Sequence, residues 1–185
     1  MLMAPTTQAW TLAELDRLPD DGNKYELVDG ELFVTPAPSP AHEALVTELF
    51  ELVYPYVKAQ TLGRLVFPRS VVRQQGSEVE PDMMVRPPTP TRPETWAEMP
   101  TPLLVVEISS RTTQRRDNEQ KRGFYLRIGV AEYWIVDRFT RTIRVVRANA
   151  DDVVCASELV WFPPAATEPL NVDVAAYFLA VSGPE

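Results

Sequence analysis

The chain has 185 residues, 45% of them hydrophobic and 24% charged, enough for one domain with a real core and too few for two comfortable ones. It contains no apolar stretch of about 18 residues that would cross a membrane as a helix, and Met1–Trp10 has neither a basic residue nor a signal-like apolar run, so a soluble cytoplasmic protein is expected. One cysteine, Cys155, excludes an internal disulfide; with no His/Cys cluster zinc lacks the ligands it prefers, and a net charge of −8 argues at first sight against a phosphate-rich partner.

Thr11 stands as a cap before Leu12, Leu15 and Leu18, with Pro19 as a stop, which predicts a short helix. Asp29-Gly30 joins Lys24–Val28 to Glu31–Thr35 as a hairpin, because both loop positions tolerate positive φ. In that register Tyr25, Leu27, Leu32 and Val34 share one face, and Glu26 falls on the other. Ser39 caps a helix that opens at Pro40 and carries Leu45, Leu49, Leu52, Val53 and Tyr56 on one stripe to about Ala59; His42 shares that stripe. Short β-like runs follow over Arg64–Phe67 and Ser70–Arg73, then a polar turn near Gly76 and a strand opened by Asp82.

From Arg86 to Pro102 six prolines exclude regular ladders and predict an ordered surface loop, of a length that is often functional. Leu103–Ser109 is short, apolar and β-branched, the pattern of a central strand. A helix over Gln114–Ile128 ends at Gly129, a hairpin joins Glu132–Asp137 to Thr142–Arg147, a strand spans Val153–Trp161, and Val172–Ala180 closes the chain as a helix. This order predicts an α/β fold, a mixed β-sheet flanked by helices, in one domain over residues 1–185.

The net charge hides an asymmetry. Between Arg111 and Arg147 ten basic residues face four acidic ones, so that stretch carries +6 and the remainder −14. Such a stretch either holds a polyanion beside a site or forms the solvated faces of a helix and a hairpin.

Two carboxylates sit where a core strand begins or ends: Asp82 before Met83-Met84-Val85, and Glu107 after Leu103-Leu104-Val105-Val106. A buried ionised carboxylate needs a metal ion or a cation as its partner. If both carboxylates reach one place, with Lys121 from the following helix, the chain has the parts of a divalent-metal phosphodiesterase site. Ile108 turns its side chain away and leaves its carbonyl for the ion. Asp117, Lys121 and Tyr125 recur at i, i+4 and i+8, so Asp117 is expected to hold the ammonium and Tyr125 to pack beneath it. The bland alternative makes Asp82 a turn cap and pairs Glu107 with an arginine.

The segments YELVDGEL from Tyr25, His42 at the head of the long helix, PDMMV from Pro81, PLLVVEISS from Pro102, Asp117, Lys121, Tyr125, and GVAEYWIVD from Gly129 together resemble the Uma-type restriction endonucleases, a branch of the PD-(D/E)XK nuclease superfamily. The resemblance implies a restriction-endonuclease-like fold, Mg²⁺ (with Mn²⁺ as the other candidate ion) on Asp82, Glu107 and the Ile108 carbonyl, DNA as substrate, and a homodimer. The chain departs from the superfamily signature two positions after Glu107, where Ser109 replaces the expected lysine and Lys121 becomes the candidate to orient the attacking water or stabilise charge. It also reads Ser110-Arg111 where relatives carry Pro-Ser before Thr112.

Glu26 belongs to the family-like hairpin and either approaches the metal or is a surface carboxylate, the commoner case. His42 either serves a leaving group or phosphate near neutral pH or packs on the apolar face of its helix. Tyr133 and Trp134 belong to core or interface, with stacking on bases as the rarer use; Cys155 is structural. The leading expectation is a Mg²⁺-dependent endonuclease acting on DNA. Its rivals are a catalytically inactive nuclease-fold module that binds nucleic acid or assembles, and a metal-dependent hydrolase of a small phosphate or nucleotide.

Overall fold

The computed structural model describes residues 9–110 and 113–182. Helix α1 (Leu12–Leu15) is a single turn closed by a reciprocal capping box between Thr11 and Glu14. Strands β1 (Lys24–Val28) and β2 (Glu31–Thr35) pair in the expected register, Tyr25 opposite Val34 and Leu27 opposite Leu32, around Asp29 and Gly30 at φ +51° and +83°. Helix α2 runs from Pro40 to Ala59, with the Ser39 side chain accepting from the His42 amide.

Strands β3 (Arg64–Val66), β4 (Val72–Gln74), β5 (Ser77–Val79) and β6 (Met83–Arg86) follow, and after the proline-rich loop comes β7 (Leu104–Ser109). One turn of 3-10 helix at Trp96–Glu98 is the loop's regular structure. The expected helix after β7 begins as α3 (Gln114–Arg116), widens into a π-helical turn (Asp117–Lys121), and continues as α4 (Arg122–Arg127). Strands β8 (Glu132–Asp137) and β9 (Thr142–Val146) form the predicted hairpin.

Two expectations near the end need correction. Val153–Trp161 is not one strand: β10 (Val153–Cys155) pairs with β9, whereas β11 (Glu158–Trp161) pairs with β12 (Leu170–Asp173). A bend at Ala156-Ser157 carries the chain off the sheet edge and over its face, where Leu159 and Trp161 enter the core. The closing helix α5 spans Val174–Ser182, because Val172 and Asp173 are still in β12.

The central sheet has the order β10-β9-β8-β7-β6-β3; β7 and β8 are parallel, and the other neighbours antiparallel. Alternation along its strands feeds two cores. Met83, Val85, Leu104, Val106, Ile108, Trp134 and Val136 meet α2, α5 and the β11–β12 pair on one face. Met84, Val105, Tyr133 and Ile135 meet α4 and a second sheet, β2-β1-β5-β4, on the other. Both faces of β7 are thus covered, and all six of its residues are buried. No helix among the described residues is long and apolar enough to cross a membrane.

The proline-rich loop is tied down by Arg86, buried at 3% exposure, which donates to the Val71 carbonyl at 2.5 Å and the Pro100 carbonyl at 2.7 Å. Gly63 makes room for this strand end: at φ +120°, a Cβ would lie 2.1 Å from the Arg86 carbonyl oxygen. Gly76, at φ +76°, has nothing within 4 Å of where its Cβ would be. Gly76→Ala should therefore cost about 1–2 kcal/mol, the backbone penalty alone. Gly63→Ala must also push backbone apart, and its loss in urea denaturation should exceed that figure by about 1–3 kcal/mol or more. Equal losses would refute the steric account.

Candidate active site

β6 and β7 run antiparallel with Met83 opposite Val106, so one further step of that register sets Asp82 across from Glu107, both on the face covered by α4 and the small sheet. Asp82 is 6% exposed and Glu107 2%. Lys24 and Glu26, two positions apart on β1, share the face of that strand that looks into the gap. The neighbour of β1 in the small sheet, β5, leads through Glu80-Pro81 directly into Asp82.

Asp82 has partners on both oxygens. Its Oδ2 accepts from the Ile108 amide at 2.8 Å and meets His42 Nε2 at 3.0 Å; its Oδ1 faces Lys24 Nζ at 3.2 Å. Lys24 also donates to the Glu80 carbonyl at 2.7 Å. Glu107 Oε1 accepts from Lys121 Nζ and from the Tyr125 hydroxyl, each at 2.8 Å. Lys121 then reaches Glu26 Oε1 at 2.7 Å, and that oxygen accepts the Glu80 amide at 2.9 Å as well. Glu26 Oε2 lies 3.5 Å from Arg116 and is buried without a hydrogen bond among the described residues.

These contacts sort the carboxylates by charge state. Burial pushes every one of them up, but Lys24 and the His42 hydrogen bond outweigh it at Asp82 and hold that group well below the usual carboxylate range. At Glu26 the burial cost is likewise outweighed, by Lys121, Lys24 and Arg116, and its pKa is lowered. Glu107 goes the other way: burial dominates, Lys121 offsets only part of it, the charge of Asp82 adds to it, and its pKa is pushed up to about 7. His42 is raised, since Asp82 more than offsets its burial. Two carboxylates sharing one ammonium cannot both be fully compensated, and Glu107 is the one left short.

Lys121, Glu26, Asp82, Glu107 and His42 thus converge in one network. Three expectations change. Glu26 is no surface carboxylate; it is 0% exposed, because the second sheet lays β1 across the gap. Asp117 does not hold Lys121: its Oδ2 accepts the Ser109 hydroxyl at 3.1 Å, and Glu26 and Glu107 take the ammonium that the π-helical turn directs inward. His42 meets Asp82 through Nε2 instead of only packing on the apolar stripe of α2, and its Nδ1 is buried without a hydrogen bond among the described residues. The Ile108 side chain lies in the opposite core, and its carbonyl leaves the strand on the same edge as the amide bonded to Asp82. Ser109, 3% exposed, fills the place of the expected lysine.

Lys24 was missed, although its alternation with Glu26 on β1 was a readable sign. The basic stretch is mostly paired off: Arg122 and Arg144 with Asp152, Arg127 with Asp29, Arg147 with Glu132, Arg115 with Glu119. Arg111 and Thr112 lie outside the described residues. Tyr133 and Trp134 are buried, at 1% and 0% exposure, which removes them from any stacking surface. Beside the network a cleft of about 600 Å³ opens, with Lys24, His42, Asp82 and Glu107 in its polar wall and Phe50 and Phe67 in its apolar one.

A solved structure agrees with this architecture: a putative nuclease belonging to DUF820 from Anabaena variabilis ATCC 29413 superposes with a TM-score of 0.77 over 93% of this chain and 99% of that one, at 23% identity. That likeness shows the fold. No curated protein matches the chain. The family model Uma2, described as "Putative restriction endonuclease", matches residues 12–175, nearly the whole of the α/β fold and every residue of the buried network, and the chain belongs to that family.

Proposed function

We propose that this protein is a Mg²⁺-dependent endonuclease that hydrolyses DNA phosphodiester bonds, with Asp82, Glu107 and the Ile108 carbonyl as its metal ligands. The observation that carries the reading is the placement of two buried carboxylates on neighbouring strands at the floor of a cleft, one of them short of positive charge. Among the described residues Glu107 Oε2 takes no hydrogen bond, so an oxygen of the less compensated carboxylate is free for a cation. No three His, Cys, Asp or Glu side chains among the described residues are arranged to hold an ion by themselves. Two carboxylates and a carbonyl suit Mg²⁺ or Mn²⁺, which complete their shells with water, and do not suit zinc.

When bound, the ion supplies Lewis-acid polarisation of the phosphate and a more acidic water. The protein's own groups do the rest. Lys121 and Tyr125 fix Glu107 by two 2.8 Å bonds to one oxygen and turn the other outward. Glu26 anchors Lys121 from behind, and His42 orients Asp82 while presenting its ring at the cleft wall, in reach of a leaving group. DNA as the substrate is supported by the family description. Two copies would be needed to cut both strands of a duplex in one encounter, which supports a homodimer.

The rival reading is a nuclease fold that binds nucleic acid without cutting it. In its favour, a lysine already stands on each ligand carboxylate, fully compensating Asp82 and partly Glu107. Calorimetry and cleavage separate the two. Asp82→Asn and Glu107→Gln should each weaken Mn²⁺ binding at least about tenfold and abolish Mg²⁺-dependent nicking of plasmid DNA. Wild-type protein that binds neither ion, or Asp82→Asn that cuts like wild type, would sink the enzyme reading; binding of DNA without turnover under any metal would favour its rival.

Lys121 has a structural signature of its own. Removing it as Lys121→Met strands two buried carboxylates, and urea denaturation of the metal-free protein should show a loss of about 3–5 kcal/mol. A loss near zero would mean that Glu26 and Glu107 do not depend on it.

A further inference from the structure

The chain has only three lysines, Lys24, Lys58 and Lys121, among its 18 basic residues, and two of the three stand in this one network. They are placed differently. Lys121 is 0% exposed, held between Glu26 and Glu107, and lies behind the cleft wall; Lys24 has a side chain 15% exposed and forms part of that wall. A group that never reaches the cleft acts on a substrate only through Glu107. Lys24 needs no intermediary.

The bonds at Asp82 add a second constraint. Oδ2 is taken by the Ile108 amide and His42, so a divalent ion on Asp82 must bind Oδ1, the oxygen that faces Lys24 at 3.2 Å. The tighter contact of Lys24, 2.7 Å to the Glu80 carbonyl, does not involve Asp82 and survives that exchange. An ammonium has three donors on a flexible stem, so one anchored at Glu80 leaves two for a phosphate oxygen. Resting on the nuclease reading above, we infer that Lys24 holds Asp82 in the metal-free protein, gives up Oδ1 when Asp82 takes a divalent ion, and then serves as the catalytic cation that contacts the substrate phosphate, while Lys121 positions Glu107.

With three lysines in the chain, amine labelling read by mass spectrometry follows each one in the wild-type protein, and exposed Lys58 serves as the internal standard. Adding Mn²⁺ should raise the labelling rate of Lys24 relative to Lys58. A phosphorothioate DNA duplex added with the ion should suppress it again, and Lys121 should stay unlabelled throughout. Two variants test the same exchange. Lys24→Met removes the ion's competitor, so Mn²⁺ should bind several-fold more tightly, while duplex affinity falls about tenfold and its salt dependence drops by about one counterion. Lys24→Arg should keep most of the duplex affinity.

Labelling of Lys24 that ignores Mn²⁺ and duplex, or Lys24→Met that binds the duplex as wild type does, overturns this inference while the nuclease reading stands. Wild-type protein that binds neither Mn²⁺ nor duplex removes both together.

Discussion

Carboxylates placed below the surface of a protein repel one another and lose their water, and neither cost is tolerable without a cation set between them. Here Glu26, Asp82, Glu107 and Asp117 are each 6% exposed or less, and the cations among them are Lys121, Lys24 and Arg116. Lys121 is the hub: its ammonium contacts a carboxylate of β1 and another of β7 from about two turns into a helix that packs over both. The small sheet is therefore seated on the large one by charge as well as by its apolar side chains. Remove the ammonium, and the two sheets are pressed together across unshielded negative charge.

The same network makes the site chemically uneven. Asp82 has three donors, Glu26 has a lysine, an amide and a nearby guanidinium, and Glu107 has one lysine that it shares and one tyrosine. The unevenness is directed at the cleft, because undersupplied Glu107 lines it, whereas Glu26, whose Oε2 is also unbonded, is fully buried away from it. The metal ion proposed for this site would relieve an existing electrostatic deficit, a more physical argument for it than the presence of acidic residues as such.

Charge elsewhere is arranged for the opposite effect. The excess of arginine after residue 111 does not form a continuous positive surface, since acidic residues from other elements claim most of it. With a net charge of −8, long-range attraction for a polyanion is weak, and contact with a phosphate falls to a few cations inside the cleft. Such a distribution disfavours loose binding along nucleic acid and, under the proposed function, would leave recognition to the cleft itself.

The amino-acid sequence by itself determined whatever depends on neighbours along the chain. Asp29-Gly30 set the hairpin, Ser39-Pro40 and the apolar stripe set α2 from Pro40 to about Ala59, and an unbroken apolar, β-branched run marked β7 as a central strand. Asp82 and Glu107 stood out for the same local reason, polar groups at the ends of apolar strands. Only the tertiary structure decided which cation each carboxylate receives. Lys24 meets Asp82 across 58 positions of sequence and Glu26 is buried by a sheet packed from another part of the chain; neither relation leaves a periodic trace. The bend at Ala156-Ser157 and the π-helical turn at Asp117–Lys121 belong with them, because each trades local regularity for a contact made elsewhere in space. Periodicity records which face of an element is buried, whereas the identity of what it is buried against is a property of the assembled fold.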